Sequence, residues 1–205
     1  MAILMCQSNE GRTSRARLVR RQVGGVSVGT FCLILAVSVF TPNSTSEAEG
    51  EKGLSEYELK AVFLYNFAKF VEWPAGAFPD ERAPIVVGVV GDDPFNGTLD
   101  AVVGKSANGH QVAIRRLRAS EDLRSCHMLF VSSSERKRLA QIVASIDGAS
   151  VLTVGEMDGF ARNGGMITLA MEDNKVTFEI NAATARRARL KISSKLMSLA
   201  RRVID

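Results

Sequence analysis

Histidine, cysteine and tryptophan are scarce in this chain: two, three and one among 205 residues. Zinc sites and thiol or imidazole catalysis need such side chains gathered at ligand spacing, and no such cluster stands in the sequence. Cys126 and His127 are adjacent, but neighbours on a strand point to opposite faces, so they are poorly placed to act as nucleophile and base. An exported enzyme built on that pair is the least supported reading. There is no G-x-S-x-G elbow. Gly88 and Gly91 lack the spacing of a phosphate-cradling loop, and Gly164-Gly165 is a turn signal only. No catalytic residue, metal or cofactor is expected.

An excess of one charge is also missing where it would matter. The formal net charge is +4, but five Arg and only two Glu lie in residues 1–48, leaving +1 for the remainder. A domain so close to neutrality has no bulk attraction for a phosphate backbone, which argues against nucleic acid as a partner.

The N-terminus explains the imbalance. Arg12 to Arg21 are followed by an uncharged apolar run, Val23 to Phe40, and then by small residues ending in Ser46-Glu47-Ala48. That order is a signal peptide with its cleavage site. Residues 1–48 are therefore expected to be a signal peptide with a processed N-terminal region, residues 49–54 a flexible lead-in, and residues 55–205 the domain. An uncleaved membrane anchor is the weaker alternative, because about 18 apolar residues just span a bilayer. Cys6 and Cys32 leave with the signal, so the mature domain keeps Cys126 alone and has no internal disulfide. Directly before an apolar strand, Cys126 is expected to be buried.

What is present in quantity is alternation of strand and helix. Ser55 and Glu58 have capping-box spacing and open a helix that Trp73-Pro74 ends. Leu59, Val62, Phe63, Phe67 and Phe70 share one face of it, while Leu64, Tyr65 and Ala68 make a second apolar side, one of the two belonging to the core. Ile85 to Val90 has no polar residue, as in a strand covered on both faces. Asp93-Pro94 starts a helix expected to reach Val103. Further strands are expected near 112–117, 128–131, 151–154, 166–171 and 176–180, with a helix from Ser132 to Gly148 between the second and third of these. Asp173-Asn174 suits a two-residue hairpin, and Asn181 caps a final helix over about 182–203. The expected fold is α/β: a single domain with a mostly parallel sheet flanked by helices, a C-terminal β-hairpin and a final helix.

Three features are candidates for function. Seven of the 13 aromatics fall between Tyr57 and Phe78. A helix apolar on two sides needs a second surface to cover it, whether the rest of the core or a partner; Tyr65, Phe67, Phe70 and Trp73 are the candidate partner-binding residues. Gly91, Asp92 and Asp93 follow a buried strand, at the edge where open α/β sheets bind ligands, although Asp93 also serves as a helix cap. Arg186, Arg187, Arg189, Lys191 and Lys195 make a basic run that is either solvated surface or an anion or membrane patch.

The stretches YELKAVFLYNFAKFVEWP (57–74) and IVVGVVGDDPF (85–95) resemble the opening of the YfiR family of periplasmic proteins. The hallmark positions stand here as Lys60, Ala61, Phe63, Asn66, Phe67, Lys69, Phe70, Trp73 and Pro74. Segments 127–135, 150–167 and 178–203 continue the resemblance in order. It implies a periplasmic protein that is not an enzyme. Such a protein binds the periplasmic part of an inner-membrane diguanylate cyclase, or a related sensor, and holds it inactive. An outer-membrane lipoprotein draws the repressor away, raising cyclic di-GMP and biofilm formation, and some members form homodimers. The best-known type of member carries intramolecular disulfides; with Cys126 alone this chain departs from it. A small-ligand-binding protein using Gly91–Asp93 is the alternative.

Overall fold

The structure, a computed structural model, describes residues 54–205. The expected signal peptide and nearly all of the lead-in lie outside the described residues. The first helix, α1 (Glu56–Phe70), starts at the predicted capping box: Glu58 N–H donates to Ser55 Oγ, and Ser55 N–H donates to Glu58 Oε2 at 2.6 Å. It runs directly into a two-residue strand, β1 (Val71–Glu72). Then come β2 (Ile85–Val90), β3 (Ser106–Ala107), β4 (His110–Leu117), β5 (Met128–Val131), α2 (Leu139–Ser145) and β6 (Leu152–Gly155). The chain ends with β7 (Ile167–Glu172), β8 (Lys175–Asn181), α3 (Ala182–Arg187), β9 (Lys191–Ile192), α4 (Ser194–Leu199) and β10 (Arg202–Ile204).

Eight strands form one sheet in the order β10-β8-β7-β6-β5-β2-β4-β3. The pairs β2–β4, β2–β5, β5–β6, β6–β7 and β8–β10 are parallel; β3–β4 and β7–β8 are antiparallel. The hairpin turns at Asp173 (φ 47°) and Asn174 (φ 59°), the left-handed pair that a type I′ turn requires. This is the expected α/β class. Both faces of the central strands are covered, which is why they read as unbroken apolar runs. On one face Val87, Val89, Met128, Phe130, Leu152 and Val154 join the core under α1. On the other, Val90, Leu129, Val131 and Cys126 meet Ile142 of α2 and Phe160.

Several expected helices take another form. The one expected from Asp93 to Val103 is a series of turns ending in a 3-10 helix, Thr98–Val102, because Asn96 (φ 49°) and Gly97 (φ 89°) are left-handed and interrupt it. The segment after β5 begins as a 3-10 helix, Ser133–Arg138, in which Ser132 Oγ accepts from Ser134 N–H instead of making a box with Glu135. The C-terminal helix is two short helices, not one. Asn181 caps α3 as expected, its Oδ1 accepting from Thr184 N–H at 2.8 Å. Arg189 then turns left-handed (φ 61°), and Lys191–Ile192 leaves as β9 to pair antiparallel with β1, Val71 opposite Ile192. Among the described residues no helix is long and apolar enough to cross a membrane.

Candidate functional site

The apolar spacing leaves two sides of α1 as candidates for the core, and the buried face draws on both. Lys60, Ala61, Leu64, Phe67 and Ala68 are the buried residues, while Val62 is 45% exposed. Of the four partner-binding candidates, Phe67 is fully buried, with its ring edge-on to Phe63 at 6.1 Å and Phe178 at 5.4 Å. The other three are half-buried. Tyr65 donates its hydroxyl to Ser106 O at 2.8 Å, and Lys69 and Lys105 approach its ring. Phe70 carries the Lys195 ammonium 5.4 Å above its ring. Trp73 donates its indole N–H to His127 O at 3.1 Å. Tyr65 and Phe70, five residues apart, are separated by roughly 140° around the helix. They therefore flank an outward strip made by Val62, Asn66 and Lys69 and do not form one patch. Val62 shares an apolar face with Phe67 in the sequence pattern, yet stands at the centre of the exposed face.

Lys60 is the unexpected member of the buried face. Its Nζ lies 2.6 Å from Glu156 Oε2, at the end of β6, and 2.5 Å from Glu56. Burial pulls the ammonium pKa down, but hydrogen bonds and charge from the two carboxylates outweigh it and the net shift is upward. Ser133 and Tyr57 hydroxyls also reach Glu156 at 3.3 and 3.4 Å. Burial, and then the charge of Glu156, push the Tyr57 phenol pKa up. The pair ties α1 across the carboxyl ends of the strands.

That edge contains the switch point of the sheet, where β4 and β5 leave β2 on opposite sides, the usual place for a ligand crevice. Here the loops close on one another. Gly91 is left-handed (φ 90°), and a Cβ on it would stand 2.4 Å from Ser134 Oγ. Asp92 N–H donates to that same hydroxyl at 3.0 Å. Asp93 accepts from Phe95 N–H at 2.8 Å and pairs with Arg116 Nε at 2.7 Å. A ligand entering here has to displace these contacts.

Cys126 and His127, the two residues before β5, diverge. The Cys126 thiol lies near Gly88 and Leu129; burial pushes its pKa up, against the opposing charge of Arg115. The His127 ring stacks on Phe78 at 4.3 Å, accepts from Val86 N–H at Nδ1, and lies 3.1 Å from Ala77 O through Nε2. An Nδ1 that accepts leaves the proton on Nε2, so the neutral ring is tied to two backbone groups. Burial lowers its pKa, although the Ala77 carbonyl works the other way.

The arrangement is that of an α/β domain whose first helix is pinned to the sheet by a buried ion pair at one end and by the β1–β9 clip at the other, leaving an aromatic-flanked strip outward. A model of the YfiR/HmsC-like family matches residues 57–201. The chain belongs to that family. Among solved structures, a conserved domain protein from Vibrio cholerae O1 biovar El Tor str. N16961 is similar at 12% identity and a TM-score of 0.48. The match covers 73% of this chain and 60% of that one, so the chain spans about 60% of that protein's length.

Proposed function

We propose that this protein is an exported, non-enzymatic regulator that binds the periplasmic part of an inner-membrane diguanylate cyclase, or a related sensor, and holds it inactive. The observation that carries the reading is the family match over residues 57–201. The outward strip of α1 supports it. Val62 is a large apolar side chain 45% exposed between half-buried Tyr65 and Phe70, and tyrosine is among the residues that anchor interfaces. Such a protein favours the inactive cyclase by binding it better than the active one, and a competing partner such as an outer-membrane lipoprotein raises cyclic di-GMP by removing it. A second copy of this chain is a further partner the reading allows. Residues 1–48 are the export signal and 55–205 the working domain.

The test is capture from the native envelope with the full chain, tagged at its C-terminus, followed by identification of the membrane protein retained. A protein with a cytoplasmic cyclase domain is expected with the natural sequence and is lost with Val62→Glu. Because Val62 is exposed, that change shifts stability by no more than about 0.5 kcal/mol. Retention of the same cyclase by Val62→Glu contradicts the placement of the interface on α1; absence of any cyclase contradicts the function.

A further inference from the structure

At the amino-end edge of the sheet, opposite the Lys60–Glu156 pair, two hollows adjoin. One, of about 420 Å³, lies between the Pro74–Pro79 loop and the starts of β5 and β6. The other, of about 500 Å³, lies between Glu72–Ala75 and the segment from Arg186 to Lys191. They share Pro74, Ala75 and Arg189. Both are of the size that small-molecule sites have.

The charge around them is one-sided. Arg124 and Arg189 line the first hollow, and Arg186, Arg189 and Lys191 the second, against the single carboxylate of Glu72. Some of this cationic capacity is already committed. Arg124 donates to Ser145 O and Asp147 O, which fixes its plane, and Arg186 pairs with Asp205. Lys191 has no carboxylate partner among the described residues, although Glu72 stands opposite it in the β1–β9 register. Arg189 spends one donor on Gly148 O at 3.2 Å, leaving most of its five N–H groups unused.

The backbone at Arg189 adds an independent observation. It is left-handed (φ 61°), just past the end of α3. That position favours glycine, and a residue with a Cβ costs about 1 kcal/mol there. A strained non-glycine residue at a cavity wall points to use of its side chain. Arg189 is the one charged residue common to both hollows, and Trp73 lines one of them.

We infer that these joined hollows bind a small organic or inorganic anion with at least two oxyanion groups, carboxylate or phosphate. Arg189 sits at the junction, with Arg124 serving one group and Lys191 the other. Forked guanidinium–oxyanion pairs are the strong form of this contact. The site is separate from the outward strip of α1 and does not depend on the regulatory reading.

Trp73 is the chain's only tryptophan, so its emission reports on this groove alone. The full chain, purified from a host that exports it, is titrated with citrate, pyrophosphate and, as a single-charge control, acetate. A saturable change in emission is expected with citrate or pyrophosphate and not with acetate; which of the two binds more tightly separates carboxylate from phosphate ligands. Arg189→Gly is expected to weaken that binding about tenfold or more while leaving the thermal midpoint unchanged or higher. Arg136→Gln, which removes the same charge from an exposed position outside the groove, is expected to bind as the natural sequence does. The inference is overturned by the absence of saturation with either multivalent anion, by equal binding of Arg189→Gly, or by equal weakening in Arg136→Gln, which would show bulk charge at work.

Discussion

Phe67→Ala is expected to lower the unfolding free energy by about 3–5 kcal/mol, the usual cost of removing a buried phenylalanine. The ring has no exposed surface and touches Phe63 on its own helix and Phe178 on β8. The substitution therefore opens a cavity at the joint between α1 and the sheet. Domains of this size are stable by about 5–15 kcal/mol, so the variant stands near the edge of folding at physiological temperature. Urea unfolding at fixed pH measures the effect. Val62→Ala, about one and a half turns away on the outward strip, is the comparison and is expected to change stability by no more than about 0.5 kcal/mol. A cost below about 1 kcal/mol at Phe67, or a larger one at Val62, would mean that α1 presents the opposite face to the sheet.

The second large effect is at Lys60. Lys60→Met keeps the length and apolar stem of the side chain but leaves the Glu156 carboxylate, whose side chain is only 12% exposed, without its ammonium. Breaking one side of a shielded pair costs about 3–5 kcal/mol, mostly because the remaining charge is stranded. Glu156 keeps two long contacts to Ser133 and Tyr57, which places the expected loss at the lower end of that range. The double variant Lys60→Met/Glu156→Leu removes both charges and is expected to recover most of the loss, since a well-packed apolar pair often equals a buried ion pair. Denaturant midpoints of the two single variants and the double variant give the coupling directly. Additive losses would show that the two residues do not act as a pair.

What could be read from the sequence was what local chemistry decides. The capping box at Ser55–Glu58, the left-handed hairpin at Asp173-Asn174, the Asn181 cap and the doubly covered strands β2 and β5 each rest on a few neighbouring residues, and all are present. The errors lie where distant segments decide. On α1, apolar residues occur on every side, so spacing alone could not say which face meets the sheet; the choice went to the side of Ala61, Leu64 and Ala68, where small residues let the helix approach. Lysine reads as a surface residue, and nothing near Lys60 announces a carboxylate 96 positions on. Near the C-terminus, the long helical pattern concealed the alternation Leu190 buried, Lys191 exposed, Ile192 half-buried, a strand signal of three residues that becomes a strand only because β1 is there to pair with it. The candidate site divided in the same way. Of the four candidates, Tyr65, Phe70 and Trp73 are half-buried and Phe67 is fully inside, while Val62, not among them, is the exposed apolar residue.

The most direct test of the proposed regulatory role is the cellular level of cyclic di-GMP in a strain lacking this protein, measured with the proposed cyclase partner intact. The level is expected to rise on deletion, to fall again when the natural sequence is restored with its export segment, and to stay high when Val62→Glu is supplied at equal abundance. A level that does not change on deletion, in cells where the cyclase is produced, would contradict the account.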